Sequence, residues 1–346
     1  MEIYVSNGTR RACLSNWVGI CADTDKECNN GTTALIFAAL NGHLEIVRLL
    51  LQEGADKDKE NYYGSTPLQI ASRQGHLEIV RHLLQEGADK DKGDNNGMTP
   101  LFFASSQGHL DVVRLLLQEG AETDKECNEG TTALLLAAQN GHLEIVRLLI
   151  QEGADTDKEC NNGTTALLFA AQNGRLEIVR LLLQKGADKD KENDHGTTAL
   201  FIAAQNGHLE IVRLLLQEGA DKDKADSCSR ATPLHFASVK GHTDIAKLLL
   251  LAGADKERKD KFDKKALDLC PTEEMRAELE ETVSLMSSGS PVRRRRGRSC
   301  ACCEVQEADG VGAVRGWTSE VSVVQCMQRC GVLLDDMSIV GLESSS

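Results

Sequence analysis

The chain has 346 residues, of which 41% are apolar and 27% charged, so it can bury a core and lies outside the composition of globally disordered chains. Its net charge of −14 argues against general binding of a phosphate backbone, which needs clustered Lys and Arg. Aromatic residues are only 3%, so Leu, Ala and Gly have to fill the interior.

No apolar run approaches the roughly 20 residues of a membrane helix. Met1–Arg11 has no apolar stretch of the secretory type. The twelve cysteines are scattered, which makes reduced thiols in a cytoplasmic, or else nuclear, protein the expectation.

Along the chain the first strong signal is repetition. Gly31, Gly64, Gly97, Gly130, Gly163 and Gly196 recur every 33 residues, each opening the same phrase. The copy starting at Cys160 differs from the one starting at Cys127 at only six of 33 positions. Full copies begin near residues 28, 61, 94, 127, 160, 193 and 227, the last after one inserted residue near Ala225–Ser229. A partial, polar copy at 260–286 follows.

Each copy predicts two short helices. Thr132 reads as the first N-cap, its hydroxyl placed to accept from an orphan backbone N–H. Pro67, Pro100 and Pro233 sit just inside that start in three copies, where a missing N–H costs nothing. Gly141 ends the helix by taking a positive φ. Leu143, Val146, Leu149 and Ile150 then form one apolar stripe on a second helix. Asp155–Asn162 is an exposed polar connection closing in an Asn-Gly turn.

The period, the Thr-Pro-Leu-His-x-Ala phrase at Thr232–Ala237 and the Gly-His-x-x-Ile-Val-x-Leu-Leu phrase resemble the ankyrin repeat family over residues 22–286. The resemblance implies an all-α solenoid of helix–turn–helix units with β-hairpin loops. It also implies a concave face that binds protein partners without catalysis, and stability spread along a one-dimensional array. The family's histidine after Pro-Leu survives only at His235, since Ile36, Gln69, Phe102, Leu135, Leu168 and Phe201 replace it. That replacement is expected to lose inter-repeat hydrogen bonds. The turn glycine is missing from the seventh copy, where Arg230 stands.

Repeated histidines (His43, His76, His109, His142, His208 and His242) fall one repeat apart in a row, so they are read as helix-start residues making local hydrogen bonds rather than as metal ligands. Cys127 and Cys160 are expected to be free surface thiols, because stacked repeats sit too far apart for a disulfide. Alternating-sign runs such as Asp56–Glu60 read as solvated connections. No nucleophile elbow, phosphate loop or zincin motif occurs, and no cofactor, small-molecule substrate or direct nucleic-acid contact by the array is expected.

The expected contact surface comprises loop tips and the last turn of each first helix. In the early copies it is Tyr62, Tyr63, Arg73 and Gln74, then Asn95, Asn96, Met98, Ser106 and Gln107. Further along it is Glu129, Gln139, Asn140, Gln172 and Asn173, then His195, Gln205 and Asn206. Tyr62 and Tyr63 stand out, because tyrosine is enriched where binding energy concentrates. A monomer binding a protein partner is the expectation.

Both ends depart from the repeat. Residues 1–21 hold a segment in which Leu14, Trp17 and Val18 fall on buried outer-helix positions. Residues 11–20 are therefore expected to be half a repeat acting as a cap; the alternative expectation is a chain cut from a longer array, with Met1–Asn16 unrelated sequence. A linker-like Ser/Gly/Pro stretch opens a tail at 287–346, expected to be loosely ordered. Its Arg293, Arg294, Arg295, Arg296 and Arg298 form a basic cluster of nuclear-import type. Cys300, Cys303, Cys326 and Cys330 have a spacing that a zinc ion could use, as in a ubiquitin-ligase component, although the tail contains no histidine.

Overall fold

A computed structural model describes residues 24–28 and 30–287 of the chain. The cap segment 11–20, the arginine cluster and the tail cysteines lie outside the described residues.

Fifteen α-helices make up the described part, with a 3₁₀ turn at Ala266–Leu269 and no strand beyond one isolated bridge between Lys259 and Lys265. The expected β-hairpin loops are therefore tight hydrogen-bonded turns. Seven helix pairs follow one another, from Ala34–Leu40 with Leu44–Gln52 to Pro233–Val239 with Thr243–Leu251. The last helix, Glu273–Ser287, buries Met275 and Leu279.

The local chemistry matches the repeated phrase. Thr33, Thr66, Thr99, Thr132, Thr165 and Thr198 each sit in extended backbone and accept from the N–H three residues on. Pro67, Pro100 and Pro233 occupy the first helical turn. Gly141 closes its helix at φ 89°.

The first, inner helix of each pair packs on its own outer helix and, in the second to sixth pairs, on the inner helices of both neighbours. Ala133, Leu134, Leu135, Ala137 and Ala138 are therefore all buried. Alanine on the packed faces lets neighbouring backbones approach, which explains a core built with few aromatics. The outer helix Leu143–Gln151 buries Ile145, Val146 and Leu149, while Leu143 and Ile150 stay half-buried. Ile145 thus joins the stripe that the sequence pattern placed on Leu143 and Ile150. Each fully buried leucine contributes about 2 kcal/mol by area.

Three ladders run between successive repeats. At the loop tips the backbone N–H of Asn128 donates to Asn96 O at 2.8 Å, that of Asn161 to Glu129 O at 2.9 Å, and that of Ser227 to His195 O at 2.8 Å. In the polar connections, Asp124 accepts from the N–H of Asp155 at 3.2 Å, and Asp157 from that of Asp188 at 2.9 Å. Beside them Lys158 pairs with Glu126 at 2.6 Å and Lys191 with Glu159 at 2.8 Å. The hydrogen bond it donates to Glu126 holds the Lys158 ammonium above the usual lysine range. The alternating charges are thus solvated, as expected, but they are also in register with the next repeat.

The histidines follow a different rule from the one expected. None of them caps its own helix. Instead His76, His109, His142, His208 and His242 donate from Nε2 to a carbonyl at the end of the preceding inner helix, at 3.0–3.2 Å. Arg175, in the same slot, reaches Gln139 O with Nε at 3.4 Å.

The slot after Pro-Leu also needs correcting at one position. His235 accepts from the Thr232 N–H at Nδ1 and donates from Nε2 to Lys264 O, both at 3.2 Å. Gln69 does the same work: Oε1 accepts from the Thr66 N–H at 2.7 Å, and Nε2 donates to Lys92 O at 2.7 Å and Met98 O at 2.9 Å. Only the apolar replacements lose the inter-repeat bond.

The turn of the seventh repeat and the cysteines differ in detail. Arg230 takes the glycine's role at φ 58°, and the buried Asp226 carboxylate receives the N–H groups of Ser229 and Ala231 at 2.9 and 2.8 Å. The inserted residue is thereby absorbed inside the turn. Cys28, Cys127 and Cys160 are free thiols, but Cys127 is buried rather than at the surface.

Candidate partner-binding surface

The inner helices leave one face uncovered. On Ala133–Asn140, Leu136 and Gln139 are half-buried and Asn140 is exposed; they lie at i, i+3 and i+4 and therefore share a face. The outer helix covers the opposite side.

The residues expected to meet a partner all reach the surface to different degrees. At the tips Tyr62 and Tyr63 are 65% and 68% exposed. Asn95, Asn96, Glu129 and His195 are also exposed. In the last helical turns Arg73, Gln74, Gln107, Asn140, Gln172, Asn173 and Asn206 are exposed, while Ser106, Gln139 and Gln205 are half-buried.

Hydrogen bonding separates these residues into two groups. The Asn95 amide already donates to Tyr62 O at 2.9 Å. Asn140 donates to Ser106 O at 2.9 Å, Asn206 to Gln172 O at 3.2 Å and Asn173 to Phe169 O at 2.8 Å. Met98 is half-buried and holds a turn: its N–H donates to Asp94 and its carbonyl accepts from Gln69. These side chains and groups hold the array together. Gln139, Gln172 and Gln205 make no such bond.

One row of surface residues was not read from the sequence. Four positions after each capping threonine stands an apolar residue: Phe37, Ile70, Phe103, Leu136, Phe169, Ile202 and, in the seventh repeat, Phe236. Phe37 is 52% exposed, Ile202 is buried, and the rest are half-buried. Two of its members have aromatic or cationic neighbours in the preceding repeat: the Arg73 guanidinium lies 5.7 Å from the Phe103 ring centre, and Phe236 packs at a tilt of 57° against the buried Phe201, ring centres 4.9 Å apart. The available signal was an inner helix apolar on every side, which leaves some apolar surface over once the buried faces are filled.

The family model of ankyrin repeats in three copies matches residues 2–94, 60–127, 101–193 and 188–260. The chain belongs to the ankyrin repeat family. No curated protein matches it. Ankyrin repeats are in general protein–protein interaction modules. Among the described residues no three His, Cys, Asp or Glu side chains gather as metal ligands would, and no helix is long and apolar enough to cross a membrane.

Proposed function

We propose that this ankyrin repeat array is a non-catalytic scaffold that holds a protein partner on the open face of its inner helices and on its loop tips. The observation that carries the reading is the row of partly exposed apolar residues on the inner helices, interrupted at the buried Ile202, together with the exposed Tyr62 and Tyr63 at a loop tip. A surface of that kind offers a partner buried area with little charge to desolvate, and tyrosines are suited to its rim.

Capture of the partner by the full chain, identified by mass spectrometry, is the starting measurement. Replacing Tyr62 and Tyr63 together with Ala, with helical content unchanged, is expected to weaken that partner's binding at least about tenfold. Replacing Phe37 with Asp is expected to do the same from the apolar row. Unchanged affinity in both variants would remove the reading.

A second role rests on the sequence of the tail, where five arginines stand within Arg293–Arg298. It is import of the scaffold and its partner into the nucleus. Loss of nuclear signal on replacing the five arginines with Ala is the expected result, and an unchanged distribution would exclude it.

A further inference from the structure

The fourth, fifth and sixth repeats present the same two groups three times over. Each carries a large apolar side chain at the same position of the inner helix, half-buried at Leu136 and Phe169 and buried at Ile202, and, three residues on, a glutamine amide with no partner of its own (Gln139, Gln172, Gln205). Their inner helices read ALLLAAQN, ALLFAAQ and ALFIAAQN, with no charged residue. A surface that repeats by translation is matched best by a ligand that repeats by translation with the same step.

Neighbouring packed helices stand about 8–10 Å apart, which sets that step. An α-helix returns to the same face after seven residues, about 10.5 Å, and falls out of step along three repeats; its backbone groups are also already paired. A flat β-strand covers the step in about three residues, but three is odd, so successive contacts alternate faces. A polyproline-II chain advances about 9.3 Å in three residues and keeps the same face, with its backbone carbonyls open to donors. A glutamine amide supplies two such donors and an acceptor.

We propose that the inner-helix face of repeats four to six binds an extended, polyproline-II-like segment of a partner, with an uncharged apolar side chain at every third position and backbone carbonyls accepting from Gln139, Gln172 and Gln205. Three repeats span about seven residues of such a segment. The inference rests on the inner-face reading above and specifies the occupant of that face.

The test uses the full chain and three fluorescein-labelled peptides: Leu-Pro-Ser repeated three times, a scramble of the same composition, and a three-heptad amphipathic helix with Leu at the a and d positions. Fluorescence anisotropy is expected to show the triplet peptide binding at least tenfold tighter than the other two. The variant with Gln139, Gln172 and Gln205 all replaced by Ala is expected to lose that binding about tenfold at unchanged circular dichroism. Equal binding of the scramble, tighter binding of the helix, binding indifferent to the three glutamines, or no binding by any peptide would each overturn the extended occupant. If the helix peptide binds and Phe169→Asp abolishes it, the inner-face reading stands and only the occupant is wrong. If the captured natural partner is also indifferent to Phe169→Asp, the face itself is wrong for these repeats.

Discussion

The imidazole Nε2 of His142 donates to the carbonyl oxygen of Ser106 across 3.1 Å, joining one repeat to the inner helix of the repeat before it. A would-be Cβ on Gly108, at φ +84°, lies 2.6 Å from the Cε1 of the same ring. The glycine therefore serves both as a left-handed helix end and as the floor on which the imidazole rests. Gly153, at φ +92°, has nothing within 4 Å of its would-be Cβ.

That contrast gives the first prediction. Gly153→Ala should show the backbone strain alone, about 1 kcal/mol. Gly108→Ala should cost clearly more, because the ring has to move and its hydrogen bond is disturbed. His142→Ala should cost about 1 kcal/mol, the usual worth of such a bond. Urea denaturation of the three variants ranks them; equal losses for the two glycines would show that the ring contact is without consequence.

The second prediction concerns three buried hydroxyls. Ser72, Ser105 and Ser238 are fully buried and their Oγ atoms have no hydrogen-bond partner, whereas other copies place Ala39, Ala138, Ala171 and Ala204 in the same slot. Replacing each serine with Ala removes an unpaired polar group and improves helix propensity. A gain of about 1 kcal/mol per site is expected, read as a higher denaturation midpoint. A loss would mean that the hydroxyls are satisfied in solution.

The third prediction is a pH dependence. Burial pushes the His235 imidazole below its ordinary value of 6.5, against the opposing hydrogen bond to the Lys264 carbonyl and the nearby Asp260. The unfolded chain then takes up the proton first, so the contribution of His235 is complete above about pH 6.5 and is lost as the pH falls through the lower folded-state value. Protonation would also end acceptance of the Thr232 N–H at Nδ1. His235→Gln should keep the bonds, as Gln69 does in the second repeat, and flatten this part of the profile between pH 7.5 and 5. Parallel curves for the wild type and the variant would exclude the effect.

A fourth prediction sets a limit on the surface charges. Lys158 and Glu126 form a rung of the ion-pair ladder, but both side chains are open to water, at 34% and 43% exposure. Solvent-exposed pairs contribute little and are screened by salt. Lys158→Met should therefore leave the denaturation midpoint unchanged within error at physiological ionic strength. A marked drop would show that the ladder acts as a network.

The helix pairs, their caps and their closing glycines were legible because each is written in a short stretch of chain: Thr132, Pro67 and Gly141 act within one turn of themselves. What connects the repeats was much less so. The reach from His142 to Ser106 spans 36 residues, and that from Asp155 to Asp124 spans 31. Sequence spacing suggests a local partner in both cases, and the true partner becomes visible only when the repeats stack. Gln69 was misjudged for the same reason: its likeness to His235 lies in where two atoms point. At the surface, Tyr62 and Gln172 could be found by asking which positions vary or stay polar. The row through Leu136 and Phe169 could not, because an apolar residue in an apolar helix reads as core until the neighbouring helices are in place.

The ladders have a consequence for how this chain can change in length. Every rung between the fourth, fifth and sixth repeats joins equivalent positions, and the fourth and fifth copies differ at only six of 33 sites. Excising 127–159 would join Glu126 to Cys160 and present each donor with the same kind of acceptor, so no bond would be left open at the seam. Inserting another such copy would be equally silent. Gain or loss of whole units by recombination between near-identical coding stretches is thereby tolerated by the fold, and the reach of the open face is adjustable by one unit at a time. A slip of another length has to be absorbed inside a turn, as the residue inserted near Ala225–Ser229 is, or it puts the rungs out of register.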